Sequence, residues 1–423
     1  MSKLIQPISF KALFIFTPLL FVSIGCSEAL YSQTIPSVKS SSENIDYPEI
    51  DTALGEKLQP NEEVIAHQIT QVIEKSIREQ YTAGNALRDA HPKAHGCVRA
   101  EFHVLKNIPA QLAKGIFIPD KNYEAWIRFS NASNDASRAD IEKDARGMAI
   151  KILDVSGQKI LENEKEATTQ DFIMINHPVF FVNDGQRYLS FMNDLNSHNM
   201  IRKLHMPFAL GFKGTMNALG ARNSKIANPL YARYWSMVPY QLGLGVDRQA
   251  VKYSVRNCST VTAALPDHPS HNFLRDALKD TLQKQDVCME FLIQPRTSTK
   301  MLVEDAMTEW KENEAPFYQV ATIHIPKQSF DTPEQNQFCE NLSFTPWHAL
   351  PEHKPLGAIN RMRKIIYENI SRVRHDINSA PRQEPKTNLS IKELPITKAV
   401  LYSSVFDEDG HRFSNVYTSI SQQ

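Results

Sequence analysis

An arginine and a tyrosine lie one helical turn apart in the segment 361–375. Apolar residues recur at helical spacing through this segment, which predicts an amphipathic helix. Arg363 and Tyr367, at positions i and i+4, then lie one above the other on the same face. A fixed guanidinium favours the anionic form of a neighbouring phenol, and a tyrosinate is one of the axial ligands of haem iron. The pair is therefore a candidate iron ligand with its supporting cation. The competing interpretation is an ordinary surface tyrosine–arginine pair.

Two histidines form a second candidate group, just before the first predicted strand. His91 and His95 are four residues apart, but Pro92 argues against a continuous helix and no glutamate follows the first histidine. The pattern therefore excludes the zinc-protease arrangement. A lone histidine near the start of a strand is most often structural, so a catalytic role needs support from other segments.

Polar side chains also interrupt two apolar segments. Arg128 lies inside the predicted strand 125–130, where a buried guanidinium requires an anionic partner. A haem propionate would serve, and an internal carboxylate is the alternative. Asn176 stands among bulky apolar residues, where its amide requires hydrogen-bond partners, and a turn amide before Pro178 is the alternative.

The composition excludes several classes of function. The chain has 423 residues and a formal net charge of zero, so it lacks the electrostatic footprint of a nucleic-acid-binding protein. Hydrophobic residues make up 42% of the chain, an ordinary fraction for a globular protein, and no repeat of solenoid period is present. The cysteines form no CxxC pair. Cys97, Cys258, Cys288 and Cys339 are expected to be buried thiols, with one or two disulfides as the alternative.

The N-terminus has the pattern of an export signal. Two lysines precede an apolar run over 12–24 that is too short to span a bilayer comfortably. The residues before Cys26 approach a bacterial lipobox, so residues 1–29 are predicted to be a signal peptide, with cleavage before Cys26 or after Ala29. The protein is therefore expected to be exported, as a periplasmic protein or as a lipoprotein attached to the membrane through a lipidated Cys26.

Three segments follow this leader. Residues 30–60 are rich in serine, proline and acidic residues and are predicted to be a flexible tether. Residues 61–380 are predicted to be the main domain, and residues 381–423 a C-terminal tail. Helical periodicity at 62–81, 272–284 and after 332 combines with β-like runs at 97–105, 125–130, 147–153, 171–182, 251–256, 287–293 and 318–325. This pattern predicts an α+β fold, with an antiparallel sheet or barrel and helices packed to one side.

Six segments, in order, resemble motifs of the haem catalase superfamily, and the chain is most similar to its compact, catalase-related branch. Residues 88–91 resemble the family's Arg-x-x-His, and residues 128–130 its propionate-binding Arg-Phe-Ser. The other similar segments are 144–151 (Asp-x-Arg-Gly-x-Ala-x-Lys), 176–181 (Asn-x-Pro-x-Phe-Phe), 234–254 and 363–367 (Arg-x-x-x-Tyr).

The resemblance implies a catalase-like antiparallel β-barrel, haem b as cofactor, and a catalase or peroxidase acting on hydrogen peroxide or an organic hydroperoxide. His91 would be the distal acid–base group, Asn176 the hydrogen-bond donor to the peroxide, and Tyr367 the iron ligand. The residues that it assigns to haem binding are Arg88, Arg128, Phe129, Phe180, Phe181, Tyr188 and Arg363.

Departures from the family pattern leave alternatives open. One extra residue before the first strand permits His95 as the distal histidine, and counting without a gap puts Ile175 where the family has its asparagine. Ala90 stands where typical catalases have valine and the allene oxide synthase relative has threonine. The alternative functions are a fatty-acid hydroperoxide-converting haem enzyme and a non-catalytic exported haem-binding protein. An oligomer is also compatible with the sequence.

Overall fold

A computed structural model of the chain describes residues 45–260, 263–382 and 384–385. The predicted signal peptide with Cys26, the first part of the predicted tether and most of the predicted tail lie outside these residues. None of the described helices combines the length and the apolar character required to cross a bilayer.

A closed antiparallel barrel forms the centre of the described structure. Its sheet contains nine strands: β1 Ala94–Val104, β2 Asn122–Asn131, β3 Arg146–Ile152, β4 Gln170–Ile175, β5 Tyr234–Trp235, β6 Tyr240–Leu242, β7 Gln249–Asn257, β8 Val287–Pro295 and β9 Tyr318–Ile325. The strand order is β5-β4-β3-β2-β1-β9-β8-β7-β6, and β5 also pairs with β7. Because β5 pairs with both β4 and β7, all strands except β6 form a closed eight-stranded barrel. Strands in a closed barrel have no open edge. The predicted α+β barrel is confirmed.

Alternation along the strands fills the barrel with aromatic and aliphatic side chains. Phe172, Tyr253 and Phe291 are all fully buried, and the rings of Phe172 and Phe291 pack edge to face with centroids 4.8 Å apart. Burying such large apolar surfaces is the main stabilising contribution to a core of this kind.

Six α-helices accompany the barrel in the described part of the chain. They are α1 Glu62–Gln80, α2 Gly185–Leu195, α3 Met200–Arg222, α4 Phe273–Lys284, α5 Pro333–Asn341 and α6 Ala358–Asn378. Helix α1 packs against α2 and α6, whereas α4 and α5 contact β1. Helix α3 consists of two helical segments, because Gly211 between them has the non-helical angles φ 69° and ψ 177°.

A buried ion-pair group fixes the position of α6. Arg361 is fully buried, and its guanidinium contacts Glu56 at 2.6 Å, Glu62 at 2.7 Å and Glu304 at 2.9 Å. Removing one partner from such a buried group is strongly destabilising, because it leaves an uncompensated charge. The group therefore anchors the part of the helix that carries Arg363, two residues further along.

The segment 45–60 differs from the flexible tether that the composition predicts. Leu54 and Glu56 are buried, and Asp51 pairs with Arg248 at 2.5 Å. The ordered domain therefore includes residue 45 instead of beginning at 61. Composition misses this order because the partners of Glu56 and Asp51 lie hundreds of residues away in sequence.

The cysteines also differ from the expectation of buried thiols. Cys97 pairs with Cys339, and Cys258 pairs with Cys288. The first disulfide links β1 to α5, so it holds the C-terminal end of that helix against the barrel.

Candidate functional site

The imidazole of His91 is held at the start of β1. The residue has a left-handed backbone conformation, with φ 62°, and its Nδ1 lies 3.0 Å from Oγ of Ser130 on β2. Nη2 of Arg128 donates to the carbonyl oxygen of His91 at 2.9 Å. Burial, followed by the positive charge of Arg128, lowers the pKa of His91 to about 4. The ring is therefore neutral at neutral pH.

Gly147 leaves the space that the His91 ring occupies. A Cβ atom at position 147 would lie 2.5 Å from Nδ1 of His91 and 2.7 Å from Oγ of Ser130. Gly147 pairs with Ser130 on β2 and with Ile175 on β4. Directly paired residues of adjacent strands present their side chains to the same face of a sheet. The side chain of Ile175 therefore lies on the face of the sheet that carries His91 and Ser130.

Both polar atoms of the Asn176 amide are engaged elsewhere. Its Oδ1 accepts the backbone N–H of Arg146 at 2.6 Å, and its Nδ2 donates to Oγ of Ser224 at 2.7 Å. The catalytic role of Asn176 stays a prediction. The hydrogen bonds and the strand register favour the alternative, in which Ile175 faces the site.

His95 belongs to a different buried group. Its Nε2 lies 2.9 Å from Oδ1 of Asn131, and its Nδ1 lies 3.6 Å from a carboxylate oxygen of Asp140. Burial lowers the pKa of His95 to about 4. Of the two candidate histidines, His91 is the one that lies beside Ser130.

Three arginines converge on the carboxylate of Glu340, near the end of α5. The shortest contacts of this carboxylate are 2.6 Å to Arg88, 3.7 Å to Arg374 and 3.9 Å to Arg128. Burial favours the neutral carboxyl group, but the positive charges, led by that of Arg88, lower the pKa of Glu340. Glu340 is thus an internal carboxylate of the kind considered as the alternative partner of Arg128.

This arginine cluster carries more positive charge than Glu340 neutralises. Three guanidinium groups against one carboxylate leave two positive charges. Within the described part of the chain, Nε of Arg128 is buried without a hydrogen-bond partner, and burial lowers the pKa of Arg128 to about 9. The two propionates of a haem would supply two negative charges and acceptors for such a donor. By charge and by unused donors, the cluster fits the propionate edge of haem b.

Aromatic side chains lie beside Arg363. Its guanidinium lies over the ring of Phe180 at 5.2 Å, and Phe180 stacks on Phe181 with centroids 4.3 Å apart. Tyr188 on α2 meets both rings edge to face. Tyr367 is partly buried against the main core. Burial is the main cause of the raised pKa of Tyr188, and the electrostatic interaction with Tyr367 also raises it. The structure therefore brings these five predicted residues into one region.

Phe129 does not join that region. It alternates with Arg128 and Ser130 along β2, so its side chain points to the opposite face. Its ring is fully buried in the barrel and lies 6.1 Å from the ring of Tyr234. The role of Phe129 in packing on haem stays a prediction. The position of its ring, on the face opposite Arg128 and Ser130, does not favour this role.

Sequence reasoning missed several residues of the site. Arg374 lies seven residues after Tyr367 on α6, and this spacing of two helical turns places both residues on one face of the helix. The sequence could therefore have indicated Arg374. Ser130 and Gly147 lie inside motifs that the sequence does indicate, but their contacts with His91 follow from strand register. Nothing in the sequence points to Glu340.

One group of described residues has metal-ligand spacing. It consists of Glu164, His348 and Glu384, whose ligand atoms lie within 4.8 Å of one another. Nζ of Lys151 lies 2.6 Å from Glu384, so a cation already neutralises part of this group. The arrangement is that of a buried ion-pair network.

Comparison with known proteins finds sequence similarity to catalases and a fold shared with solved catalase structures. The catalase family model matches residues 69–208. The chain is 22% identical over 280 residues to a catalase of an Onchocerca volvulus endobacterium, and 21% identical over 280 residues to catalase A of Pseudomonas putida. Each match covers 59% of this chain and 55% of the relative, so the chain matches about half the length of these curated relatives.

Three solved catalase structures resemble the fold. A bacterial catalase has a TM-score of 0.54 at 15% identity, covering 90% of this chain and 77% of that one. A fungal catalase gives 0.52 at 14% identity, covering 82% and 74%, and catalase A from Saccharomyces cerevisiae gives 0.51 at 17% identity, covering 82% and 73%. At these identities the likeness establishes the fold. The family-model match over residues 69–208, the distant curated relatives and the shared fold together support the assignment of the chain to the catalase superfamily.

Proposed function

We propose that this protein is a catalase-like, peroxide-decomposing enzyme that uses haem b bound through Tyr367. The observation that carries the proposal is the position of the neutral His91, which lies beside a three-arginine cluster with two unneutralised positive charges. The catalase relationship supplies the reaction class. Bound haem would supply the iron that exchanges electrons with the peroxide.

His91 is the proposed acid–base group. In the tautomer with the proton on Nδ1, this N–H donates a hydrogen bond to Oγ of Ser130. The lone pair of Nε2 is then available to accept the proton of the incoming peroxide. The same atom can return that proton to the departing oxygen. The low pKa of His91 keeps this lone pair free at neutral pH.

The arginines are assigned to the cofactor. Arg88, Arg128 and Arg374 would hold the propionates by charge-assisted hydrogen bonds. Arg363 lies one helical turn before Tyr367, where its charge would stabilise the phenolate that binds iron. Phe180 would give an apolar surface for the macrocycle.

A second candidate, conversion of an organic or fatty-acid hydroperoxide, is favoured by Ile175. An isoleucine on the His91 face cannot donate a hydrogen bond to hydrogen peroxide, and it offers apolar contact instead. An organic hydroperoxide gains binding energy from such contact, whereas hydrogen peroxide does not.

The test uses the full chain loaded with haem. Haem binding is followed by the absorption spectrum, and oxygen release is measured with hydrogen peroxide. We expect Tyr367→Phe to alter the spectrum and His91→Ala to retain haem but lose turnover. A wild-type chain that binds no haem would contradict the proposal.

Two further variants separate the candidates. We expect Asn176→Ala to retain turnover once haem is loaded, because its amide bonds to Arg146 and Ser224. Ile175→Asn adds a donor on the His91 face, and we expect it to raise oxygen release relative to consumption of an organic hydroperoxide. Haem binding without consumption of any peroxide would identify a non-catalytic haem-binding protein.

We also propose that the protein functions outside the cytoplasm. The disulfides Cys97–Cys339 and Cys258–Cys288 support this, because disulfides persist mainly in oxidising compartments. Mass spectrometry of the mature protein would distinguish a lipidated Cys26 from cleavage after Ala29.

A further inference from the structure

Helix α3 exposes a continuous stripe of large apolar side chains. Seven of the fifteen exposed large hydrophobic residues in the described part of the chain belong to this one helix: Met200, Ile201, Leu204, Phe208, Phe212, Met216 and Leu219. Apart from the adjacent pair Met200 and Ile201, they recur every three or four residues within each helical segment, which places them along one side of that segment. Single exposed apolar residues need no explanation, whereas a contiguous apolar surface marks an interaction site.

Two phenylalanines lie at the centre of this stripe. Phe208 is 76% exposed and Phe212 is 86% exposed, on either side of the break at Gly211. Small buried residues on other sides of the helix, Ala209 and Gly214, face the protein. A side chain of this size is rarely left in water without a partner.

The charge around the stripe is positive, although the whole chain has a net charge of zero. No acidic residue occurs between Asp194 and Asp247, while this interval contains Arg202, Lys203, Lys213, Arg222, Lys225 and Arg233. Two of these cations already have carboxylate partners: Lys213 pairs with Asp305 at 3.6 Å and Arg233 with Glu312 at 2.7 Å. Within the described part of the chain, no ion pair joins Arg202, Lys203 or Arg222 to a carboxylate. These cations are therefore available to an external anionic surface.

We infer that α3 docks the protein onto an anionic phospholipid bilayer. An amphipathic helix with lysine and arginine beside exposed phenylalanine and leucine lies in the membrane interface, with its apolar side among the lipid chains and its cations at the headgroups. A second copy of this chain would bury the apolar stripe but would bring the same cations together. The bilayer satisfies both the apolar surface and the charge.

The docking helix contacts the segment that follows β4. Nδ2 of Asn217 donates to the carbonyl oxygen of Phe180 at 3.1 Å, and a Cβ atom at Gly214 would lie 2.5 Å from the carbonyl oxygen of Phe181. The face opposite the membrane thus packs on the candidate haem-binding segment. The docking inference itself does not depend on haem.

Vesicle binding tests this surface. The full chain is sedimented with phosphatidylcholine vesicles that contain phosphatidylglycerol, and with pure phosphatidylcholine vesicles. We expect binding to the anionic vesicles to weaken at least about tenfold for the pair Phe208→Ser and Phe212→Ser, and roughly fivefold for each cation lost in Arg202→Gln and Lys203→Gln. The matched control replaces Val246 and Leu302, which are 97% and 56% exposed elsewhere on the chain, by serine, and should bind like the wild type.

All variants share the same N-terminal segment, so sedimentation alone does not show which part of the chain contacts the lipid. Amide hydrogen exchange locates the contact. We expect exchange over residues 200–222 to slow only when anionic vesicles are added. Equal binding by the serine pair and the wild type would overturn the inference. Protection of this helix without lipid would also overturn it: protection that rises with protein concentration indicates a second copy, and protection at every concentration indicates a segment of the same chain.

Discussion

Replacing Gly147 by alanine tests whether the position of His91 controls the reaction. The added Cβ would lie 2.5 Å from Nδ1 and 2.7 Å from Cε1 of the imidazole. Ordinary van der Waals contact begins at 3.4 Å, so the ring must retreat by roughly 1 Å. The hydrogen bond to Ser130 is already 3.0 Å long, and a retreat of this size breaks it.

The expected loss follows from that displacement. A misplacement of about 1 Å in a reacting group costs about 100-fold in rate. Overpacking should lower the free energy of unfolding by only about 1–3 kcal/mol. Gly147 is a strand residue without a positive φ, so backbone strain adds nothing to this cost.

The assay compares kcat/KM for peroxide in haem-loaded protein, normalised to haem content. Gly185→Ala is the matched control, because its Cβ would lie 3.2 Å from the flexible end of Met362. Nuclear magnetic resonance titration gives a readout without haem: the pKa of His91 should be about 4 in the wild type and move towards 6.5 in the variant. Wild-type activity and an unchanged His91 pKa in Gly147→Ala would refute the reasoning.

Four other predictions follow from the ion pairs, the histidines, the disulfide and α3. Glu340→Gln leaves the buried Arg128 and Arg374 and the mostly buried Arg88 without their shared carboxylate, and it should lower the free energy of unfolding by about 3–5 kcal/mol. Added haem should restore part of this loss, as measured by denaturant unfolding. Acid should destabilise the fold from pH 6.5 downwards, because burial lowers the pKa of three histidines besides His91 to about 4, 3 and 3, so the unfolded chain binds protons first. From these three groups together, the free energy of unfolding should fall by roughly 6 kcal/mol by about pH 5. An unchanged stability over this pH range would count against the assignment. The three histidines are His95, His353 and His375. Replacing Cys97 and Cys339 by alanine opens a link between residues 242 positions apart and should cost up to about 5 kcal/mol, measured by thermal unfolding against the oxidised wild type. If both proposals hold, Phe208→Ser with Phe212→Ser should slow consumption of a lipid hydroperoxide in anionic vesicles but not of hydrogen peroxide in solution; equal loss on both substrates would contradict the link.

Local patterns predicted most of the barrel. Alternation or apolar runs located β1, β2, β3, β7, β8 and β9 to within a few residues, and helical periodicity located α1, α4 and α6. Helices α1 and α4 each bury one face, and buried residues alternate with more exposed ones along part of β1 and β9, so these periods appear in the sequence. Strands β2, β3 and β7 are buried on both faces over most of their length and appear as apolar runs. The short strands β5 and β6 have too few residues to show a period. Helix α3 was missed because Pro207 and Gly211 interrupt it and its apolar stripe does not face a core.

The candidate site was only partly predictable, because its geometry depends on pairing between distant segments. The motif resemblance assigned Arg363 and Phe180 to the same site, and the guanidinium of Arg363 lies over the ring of Phe180, but the motifs could not decide between Ile175 and Asn176. That decision needs the β3–β4 register, in which a shift of one residue exchanges the two faces. Glu340 reaches the arginines through α5, whose position depends on a disulfide that spacing alone cannot assign.

Ile175 and α3 both bear on which peroxide the site would serve. Hydrogen peroxide is small and polar, and an enzyme binds it through hydrogen-bond donors. On the sheet face that carries His91, the residue paired with Gly147 is instead an isoleucine, and the amide of Asn176 is bonded to the backbone of Arg146 and the hydroxyl of Ser224. Helix α3 presents apolar side chains outward while its inner side contacts Phe180. Apolar surface at the site gives binding energy to a peroxide with an apolar body, and docking of α3 on a bilayer would hold the site beside such substrates. The two features together therefore support the second candidate function, conversion of an organic hydroperoxide.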